Sequence, residues 1–397
     1  MPTVDVLIIG AGPAGLSTAL HLVKADPAWA ERMLLVEKAI HPRHKLCGGA
    51  VTRMGLETLE SLDFHLPLPL PQARVDDIRL VYASRTIHVP GRPGFVVFHR
   101  AEFDAYLADQ ARQRGARIYQ DEEVKSVSVD DRGAIVVTTK DTYRAKAIVG
   151  ADGAKGVTRR LLNDHRGPAR VARLLEVMQP APPDAELFSE RCAGFDFNLV
   201  GQDLQGYFWD FPSRVDGQPH FNRGIYDARF APKRPRADLL DLLNRSLASL
   251  DQDPAGVKIE GHPIHWFSPR NRFASRRLLL VGDAAGADPL FGEGIAPALE
   301  YGKVAAQVLQ QAFERDDFSF RDYRARLLRS PIGRYLLLRW TVAWWGYRLS
   351  NKPWYMHGLW SLGKFLAAVW PQPGPMQGWA DRRRTARKTG RMGGNNE

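Results

Sequence analysis

Short apolar runs separated by helical repeats organise the first half of the chain. Val6-Leu7-Ile8-Ile9 reads as a buried parallel strand, and Leu16, Ala19, Leu20 and Val23 recur at helical spacing directly after it. Met33-Leu34-Leu35-Val36 predicts a second buried strand. A loop over residues 39–51 precedes a short helix over 52–62, with Leu56, Leu59 and Leu62 on one face, and the prolines of 67–71 break the pattern. Alternation then predicts strands over 78–89 and 95–98, and a helix over 101–114 carries Phe103, Tyr106, Leu107 and Ala111 on one side. Further strands are expected over 124–129, 135–139 and 145–150. Residues 166–276 are poorer in helical spacing and richer in aromatics, a mainly β region with one helix over 236–250. Leu278-Leu279-Leu280-Val281 resumes the buried-strand pattern, and a long helix over 295–313 follows.

Buried strands alternating with helices predict an α/β fold, a Rossmann-like domain interrupted twice by a mainly β substrate domain. Residues 1–65, 100–165 and 277–330 are assigned to the first domain. Residues 66–99 and 166–276 form the second, and 331–397 are a helical, Trp-rich, basic C-terminal segment. A length of 397 residues suits two domains plus an appendage, and 44% hydrophobic content suits a folded chain. Two cysteines, Cys47 and Cys192, make neither a disulfide framework nor a metal-ligand cluster, so no metal is expected. They fit a reducing, cytoplasmic compartment, and a first strand this close to Met1 leaves no room for a signal peptide.

Charge is unevenly placed. Of the net +11, +9 lies in 331–397, where eleven Lys and Arg face only Asp381 and Glu397. Seven of the ten tryptophans (Trp340, Trp344, Trp345, Trp354, Trp360, Trp370 and Trp379) fall there too. Arg339, Arg348 and Lys364 interrupt every run that would approach the roughly 20 apolar residues of a spanning helix. Trp, Tyr and Leu mixed with Arg and Lys suit a helix lying in a bilayer interface, peripheral on the inner face of a membrane. The other reading is a helical pair packed on the body with a solvated basic tail. Nucleic acid is not an expected partner, because no binding motif accompanies the charge.

The richest chemistry lies between the first two strands. Gly10-Ala11-Gly12-Pro13-Ala14-Gly15 fits Gly-x-Gly-x-x-Gly, and Glu37 stands 22 residues after Gly15 at the end of the second strand. Gly10 permits the tight turn, Gly12 lets a pyrophosphate approach the backbone, and Gly15 lets helix and strand pack closely. The helix N-terminus offers N–H groups and a positive dipole end to phosphate, and Glu37 can accept from ribose hydroxyls. Strand, turn, helix, strand and acid in register predict a bound dinucleotide.

Two later stretches join it: Gly150-Ala151-Asp152-Gly153 and Leu279-Leu280-Val281-Gly282-Asp283-Ala284-Ala285. Together the three resemble the flavoprotein superfamily of para-hydroxybenzoate hydroxylase. The resemblance implies that fold and FAD as cofactor, with Asp283 on the ribityl chain. It sets the helix start Gly294-Ile295 against the isoalloxazine O2/N1 edge, where the dipole favours the anionic reduced flavin. It places Arg100 near the phosphate and ribityl atoms and Val124 at the adenine, and implies contacts from Ala14, Lys38, Cys47, Gly48, Ala50, Asp152 and Gly292.

Lys45-Leu46-Cys47-Gly48-Gly49 is similar to the Pro-Cys-Gly-Gly loop of geranylgeranyl reductases, with Leu46 in the proline's place. Gly206-Tyr207-Phe208-Trp209-Asp210-Phe211-Pro212 matches their Tyr-x-Trp-x-Phe-Pro signature. The family continues with Gly-x-Gly; here the nearest stretch is Gly224-Ile225-Tyr226, displaced and without the second glycine, which leaves the pocket shape open. The match covers about residues 4–310. It implies an FAD-dependent oxidoreductase acting on CH–CH groups, saturating C=C bonds of an isoprenoid chain by hydride from reduced flavin N5. Tyr207, Trp209 and Phe211 alternate, so they share a face as an apolar tunnel wall or as a plain core cluster. Trp266 and Phe267 are candidates to extend that wall. Cys47, Tyr207 and Trp209 are the candidate catalytic positions; Cys47 either donates the proton or shapes the loop. His41, His44 and Lys45 are polar loop positions open to a phosphate, a flavin edge or solvent. No second Gly-x-Gly-x-x-Gly follows, so electrons come from transiently bound NADPH or from reduced ferredoxin. The competing activities are a monooxygenase, hydroxylase or halogenase on the same fold, or a flavin carrier without catalysis.

Overall fold

The computed structural model describes residues 1–162, 171–250, 256–369 and 374–376. β1 (Thr3–Ile9) runs into α1 (Pro13–Ala25), and one turn, α2 (Trp29–Arg32), leads to β2 (Met33–Val36). β3 (Ala50–Thr52) enters α3 (Arg53–Glu60), and the hairpin of β4 (Gln72–Tyr82) and β5 (Arg85–Phe98) passes into α4 (Arg100–Gln113). β6 (Arg117–Tyr119), β7 (Val124–Val129), β8 (Ala134–Thr138) and β9 (Thr142–Gly150) precede α5 (Val157–Leu162). Then come β10 (Val171–Pro180), α6 (Glu186–Ser189), β11 (Cys192–Asp196), β12 (Gly206–Val215), β13 (Gln218–Asp227), α7 (Leu239–Ala248) and β14 (Glu260–His265). β15 (Ala274–Ser275) and β16 (Leu278–Leu280) lead to four helices: α8 (Ile295–Arg315), α9 (Tyr323–Arg329), α10 (Pro331–Leu349) and α11 (Pro353–Val369).

Two eight-stranded sheets result. The first runs β15-β16-β9-β1-β2-β6, with the β7–β8 hairpin extending from β9. Its central strands β16, β9, β1 and β2 are parallel, and where all four lie side by side (Leu278–Leu280, Ile148–Gly150, Leu7–Ile9 and Leu34–Val36) they are apolar apart from Gly150, as strands buried on both faces must be. The second sheet runs β14-β10-β13-β12-β11-β4-β5-β3 and is largely antiparallel. Alternation along β12 sends Tyr207, Trp209 and Phe211 into one aromatic cluster and Phe208 into another, packed under α7. The α/β class and the flavoprotein-type architecture therefore stand as read from sequence.

Several details differ from expectation. Residues 78–89 are not one strand but the turn of a hairpin, because the apolar alternation carries on through Ala83 and Ser84, whose φ values are 47° and 60°. Residues 50–52, the end of the expected 39–51 loop and the start of the expected 52–62 helix, both assigned to the nucleotide domain, form β3 and pair with β5 in the second sheet. Ala274–Ser275, grouped with the substrate domain, instead pairs with β16 in the first sheet. The helix expected from 236 begins at Leu239 because Asp238 caps it, accepting from the backbone N–H of Leu240 and Asp241. In the C-terminal segment, α10 and α11 pack on the second sheet's aromatic cluster through Ala343, Tyr347, Met356 and Trp360. Trp370, Trp379 and the basic tail lie outside the described residues. Among the described residues, no helix is long and apolar enough to cross a membrane.

Candidate active site

A single cavity of about 790 Å³ runs from the glycine turn of the first sheet to the aromatic face of the second. Gly10, Gly12, Ala14, Glu37, Lys38, Cys47, Gly48, Ala50, Arg100, Val124, Asp152, Tyr207, Trp209, Phe211, Asp283, Gly292, Gly294 and Ile295 all line it. Gly15 does not. It sits behind the turn, where a side chain would overlap the Gly10 carbonyl, in keeping with a packing role.

The dinucleotide end is built from backbone and charge. Gly10 has φ +101°, and a Cβ there would lie 2.9 Å from the Ala151 carbonyl carbon, so only glycine fits. The α1 N-terminus has no side-chain cap and no acid in its first turn, which leaves its N–H groups for an anion. Glu37 is buried and oriented by the turn: Oε2 accepts from Ala11 N at 2.8 Å and Oε1 from Ala39 N at 3.1 Å. Arg43 reaches over the bare turn, with Nη2 3.3 Å from where a Gly12 Cβ would be. Its guanidinium pairs with Asp104 at 3.1 Å, and Arg100 grips the same carboxylate through two bonds of 2.8 and 2.7 Å. Burial works against the Arg100 cation, but Asp104 and the Cys47 side chain outweigh it and hold it charged. Asp152 faces the cavity, yet both its oxygens accept from Thr158, so it ties the Gly150–Gly153 turn to α5.

Deeper in, Asp283 presents its carboxylate beside the start of α8, with Oδ1 3.3 Å from a Cβ built on Gly294. The α8 N-terminus, like that of α1, carries neither a side-chain cap nor an acid in its first turn. Lys45 Nζ is 2.8 Å from His262 Nε2. Burial lowers the Lys45 pKa, opposed by Asp283, while burial and then Lys45 push His262 down to about 4. The imidazole is therefore the neutral acceptor of the lysine's hydrogen bond. Two uncapped helix ends, a cation over the glycine turn and a carboxylate at the second helix fit an FAD laid along the cavity.

The opposite wall is aromatic. Tyr207, Trp209 and Phe211 follow one another at 6.5 Å centroid spacings, and Phe195 packs on Tyr207 and Phe211 at 5.0 and 5.1 Å. Ile78, Leu80, Phe95, Leu174 and Ile264 complete an apolar slot. The Cys47-Gly48-Gly49 loop closes onto it, a Cβ on Gly48 falling 3.3 Å from the Phe211 ring and 3.7 Å from Trp209 Nε1. Cys47 Sγ accepts from Gly49 N at 3.4 Å. The two stretches singled out by family resemblance thus touch. Trp266 and Phe267 do not extend the slot. Trp266 stacks on Phe230 at 4.2 Å and donates to Ala228, and Phe267 packs on Phe273 in the other core.

Sequence reading missed the props behind the loop that follows β16. Tyr207 donates to Phe291 O at 2.5 Å, Tyr226 to Pro289 O at 3.1 Å, and Tyr347 to Leu290 O. Arg339 binds the fully buried Asp288 at 3.2 Å, and Tyr335 donates to Glu293 at 2.6 Å. Tyr335, Arg339 and Tyr347 share one face of α10, at spacings of one and two helical turns. Polar residues spaced that way in an apolar helix were the available signal.

Residues 3–298 match the protein-family model described as FAD binding domain. The chain is 28% identical over 348 residues to digeranylgeranylglycerophospholipid reductase 2 of Methanopyrus kandleri, covering 79% of each protein. It is 29% identical over 330 residues to menaquinone reductase of Mycolicibacterium smegmatis, covering 77% of this chain and 76% of that one. A geranylgeranyl bacteriochlorophyll reductase-like protein of Thermoplasma acidophilum superposes with a TM-score of 0.74 at 22% identity, over 93% of this chain and 91% of that one.

Arg43→Ala removes the cation above the glycine turn, and charge-assisted contacts of this kind contribute about 1.5–3 kcal/mol. FAD affinity should fall on the order of ten- to a hundredfold, read by flavin fluorescence as FAD is titrated into apoprotein. Unchanged affinity would show that Arg43 serves only Asp104.

Proposed function

The chain belongs to the FAD binding domain family and is an FAD-dependent oxidoreductase, and from that premise we propose that it saturates C=C bonds of an isoprenoid, geranylgeranyl-type chain. The observation that carries this reading is the seating of the Cys47-Gly48-Gly49 loop on the Trp209–Phe211 wall, inside the cavity that holds the dinucleotide cradle. The cradle of Gly10, Gly12, Glu37, Arg43 and Asp283 would hold FAD, which, reduced by NADPH or reduced ferredoxin, would supply the hydride from N5 to one carbon of the alkene. An unactivated alkene offers no polar handle, so the protein must fix the chain by shape and keep water out. Tyr207, Trp209 and Phe211 hold the chain along β12, while Leu80, Leu174 and Ile264 exclude water from its flanks. Cys47, on the loop that closes onto this wall, gives the proton to the second carbon. The relatives named for reducing geranylgeranyl lipids and menaquinone support a prenyl group as the reacting part.

The substrate's greasiness points to a lipid surface as its source, and the outer faces of α10 and α11 suit one. Leu338, Val342 and Trp345 on α10 and Trp354, Leu362 and Phe365 on α11 are exposed, opposite the stripes that pack inward. Residues 331–369 contain Arg334, Arg348, Lys352 and Lys364 at exposed positions and no acid. Apolar side chains fringed by unopposed cations fit an anionic bilayer surface, with the protein peripheral to it and cytoplasmic otherwise.

Photoreduced enzyme mixed anaerobically with a geranylgeranyl substrate should be reoxidised, the product gaining two hydrogens per bond by mass. A flavin that stays reduced until oxygen arrives, then yields a hydroxylated or halogenated product, would overturn the reductase reading. The full chain should also sediment with phosphatidylglycerol vesicles but not phosphatidylcholine vesicles, and salt should weaken that binding. The double variant W345E/F365E should stay in the supernatant; if it sediments as before, or if wild type instead dimerises through this face, the lipid reading is wrong.

A further inference from the structure

Glu176 is a carboxylate where the fold has little use for one. It lies on β10, 5% exposed, among the apolar strands of the second sheet. In register across the sheet, Glu176 stands opposite Gly224 on β13, and Gly224 stands opposite Trp209 on β12. Gly224 is bare because the Trp209 indole lies across it, and any side chain there would overlap the ring. The displaced glycine of the family pattern thus makes room for the aromatic wall.

One residue connects the parts. Asn222, 1% exposed, accepts from Trp209 Nε1 at 2.8 Å and donates through Nδ2 to Glu176 Oε1 at 3.1 Å and to Cys47 O at 3.3 Å. An indole N–H can only donate and a carbonyl can only accept, so this amide has one orientation that satisfies all three. Glu176 Oε2 is buried without a hydrogen-bond partner. Burial first of all, together with Glu260, raises the Glu176 pKa to about 7 against the pull of Asn222, the Cys47 backbone and Arg100. Glu260, its cross-strand partner on β14, is itself bound to His44 and Lys258. Lys45 and His262 bind each other, Arg100 is held by Asp104, and Arg223 on β13 is held by Asp210. Each of these cations among the described residues therefore already has a partner other than Glu176.

We propose that Glu176 is a positioning residue of the slot, which through Asn222 seats both the Trp209 indole and the Cys47 loop and alters that seat when it loses its proton. The proposal rests on the slot being the prenyl site. The protonated side chain keeps Oε1 as an acceptor and the junction neutral. Ionisation places an unpaired charge behind an apolar wall, so the working form is the protonated one and turnover declines as pH rises through neutrality.

The test is the pH profile of prenyl reduction by the holoenzyme and two variants. E176Q keeps the acceptor for Asn222 and cannot ionise; its profile should lose the decline near pH 7 that wild type shows. E176L removes the acceptor; its KM for the prenyl substrate should rise about tenfold at every pH, with FAD content intact. A readout independent of any substrate is the thermal midpoint between pH 5 and 8. The folded chain binds the Glu176 proton more tightly than the unfolded chain does, so wild type should lose stability relative to E176Q as pH rises across that window. If the decline near pH 7 persists in E176Q, or E176L matches wild type, or the midpoints run parallel, the proposal is overturned. Absence of prenyl turnover with diverging midpoints would instead refute the substrate reading alone.

Discussion

Asp104 is the anchor on which the rest of this active site depends. It is fully buried on α4 and binds Arg100 from its own helix and Arg43 from the loop after β2. Arg100 satisfies that carboxylate through two bonds, and the further ion pair from Arg43 at 3.1 Å ties the loop after β2 to the same buried charge. Holding Arg43 over the glycine turn also fixes the residues that follow it. Cys47, Gly48 and Gly49 are thereby delivered to the far wall, against Trp209 and Phe211. One ion cluster therefore joins the cofactor end of the cavity to its apolar end.

What the sequence made legible is the part governed by local rules. The glycine turn, the buried parallel strands and the uncapped α1 N-terminus follow from spacing within about forty residues, so reading them needs no knowledge of tertiary contacts. The alternation of Tyr207, Trp209 and Phe211 is equally local, since a strand puts every second residue on one face. The hairpin at Ala83–Ser84 escaped because its turn residues do not interrupt the alternation. Trp266 and Phe267 were misplaced for a related reason: aromatic character says that a side chain is buried, but not whether it lines the slot, packs behind it as Trp266 does, or joins the other core as Phe267 does.

Of the props behind the loop after β16, the sequence carried no mark beyond the polar spacing of Tyr335, Arg339 and Tyr347 along α10. Asp288, Glu293 and the carbonyls of Pro289, Leu290 and Phe291 find their partners on β3, β12, β13 and α10, which are distant in sequence. Such a loop reads as an ordinary Gly- and Pro-containing connection until the hydroxyls aimed at it are seen. The same holds for Asn222, an unremarked residue in sequence and the meeting point of three groups in space. Long-range polar satisfaction is the class of information that periodicity does not carry.

The dependence of that loop on α10 has a consequence for biosynthesis. During synthesis the glycine turn emerges first, but Asp288 lacks its guanidinium until residue 339 has been made and α10 has docked. The sheet is likewise incomplete until β16 slots beside β9, more than a hundred residues later in the chain. A nascent chain whose synthesis has passed Asp288 but not Arg339 therefore carries that acid without its guanidinium, and the crevice is complete only once the last helices have docked.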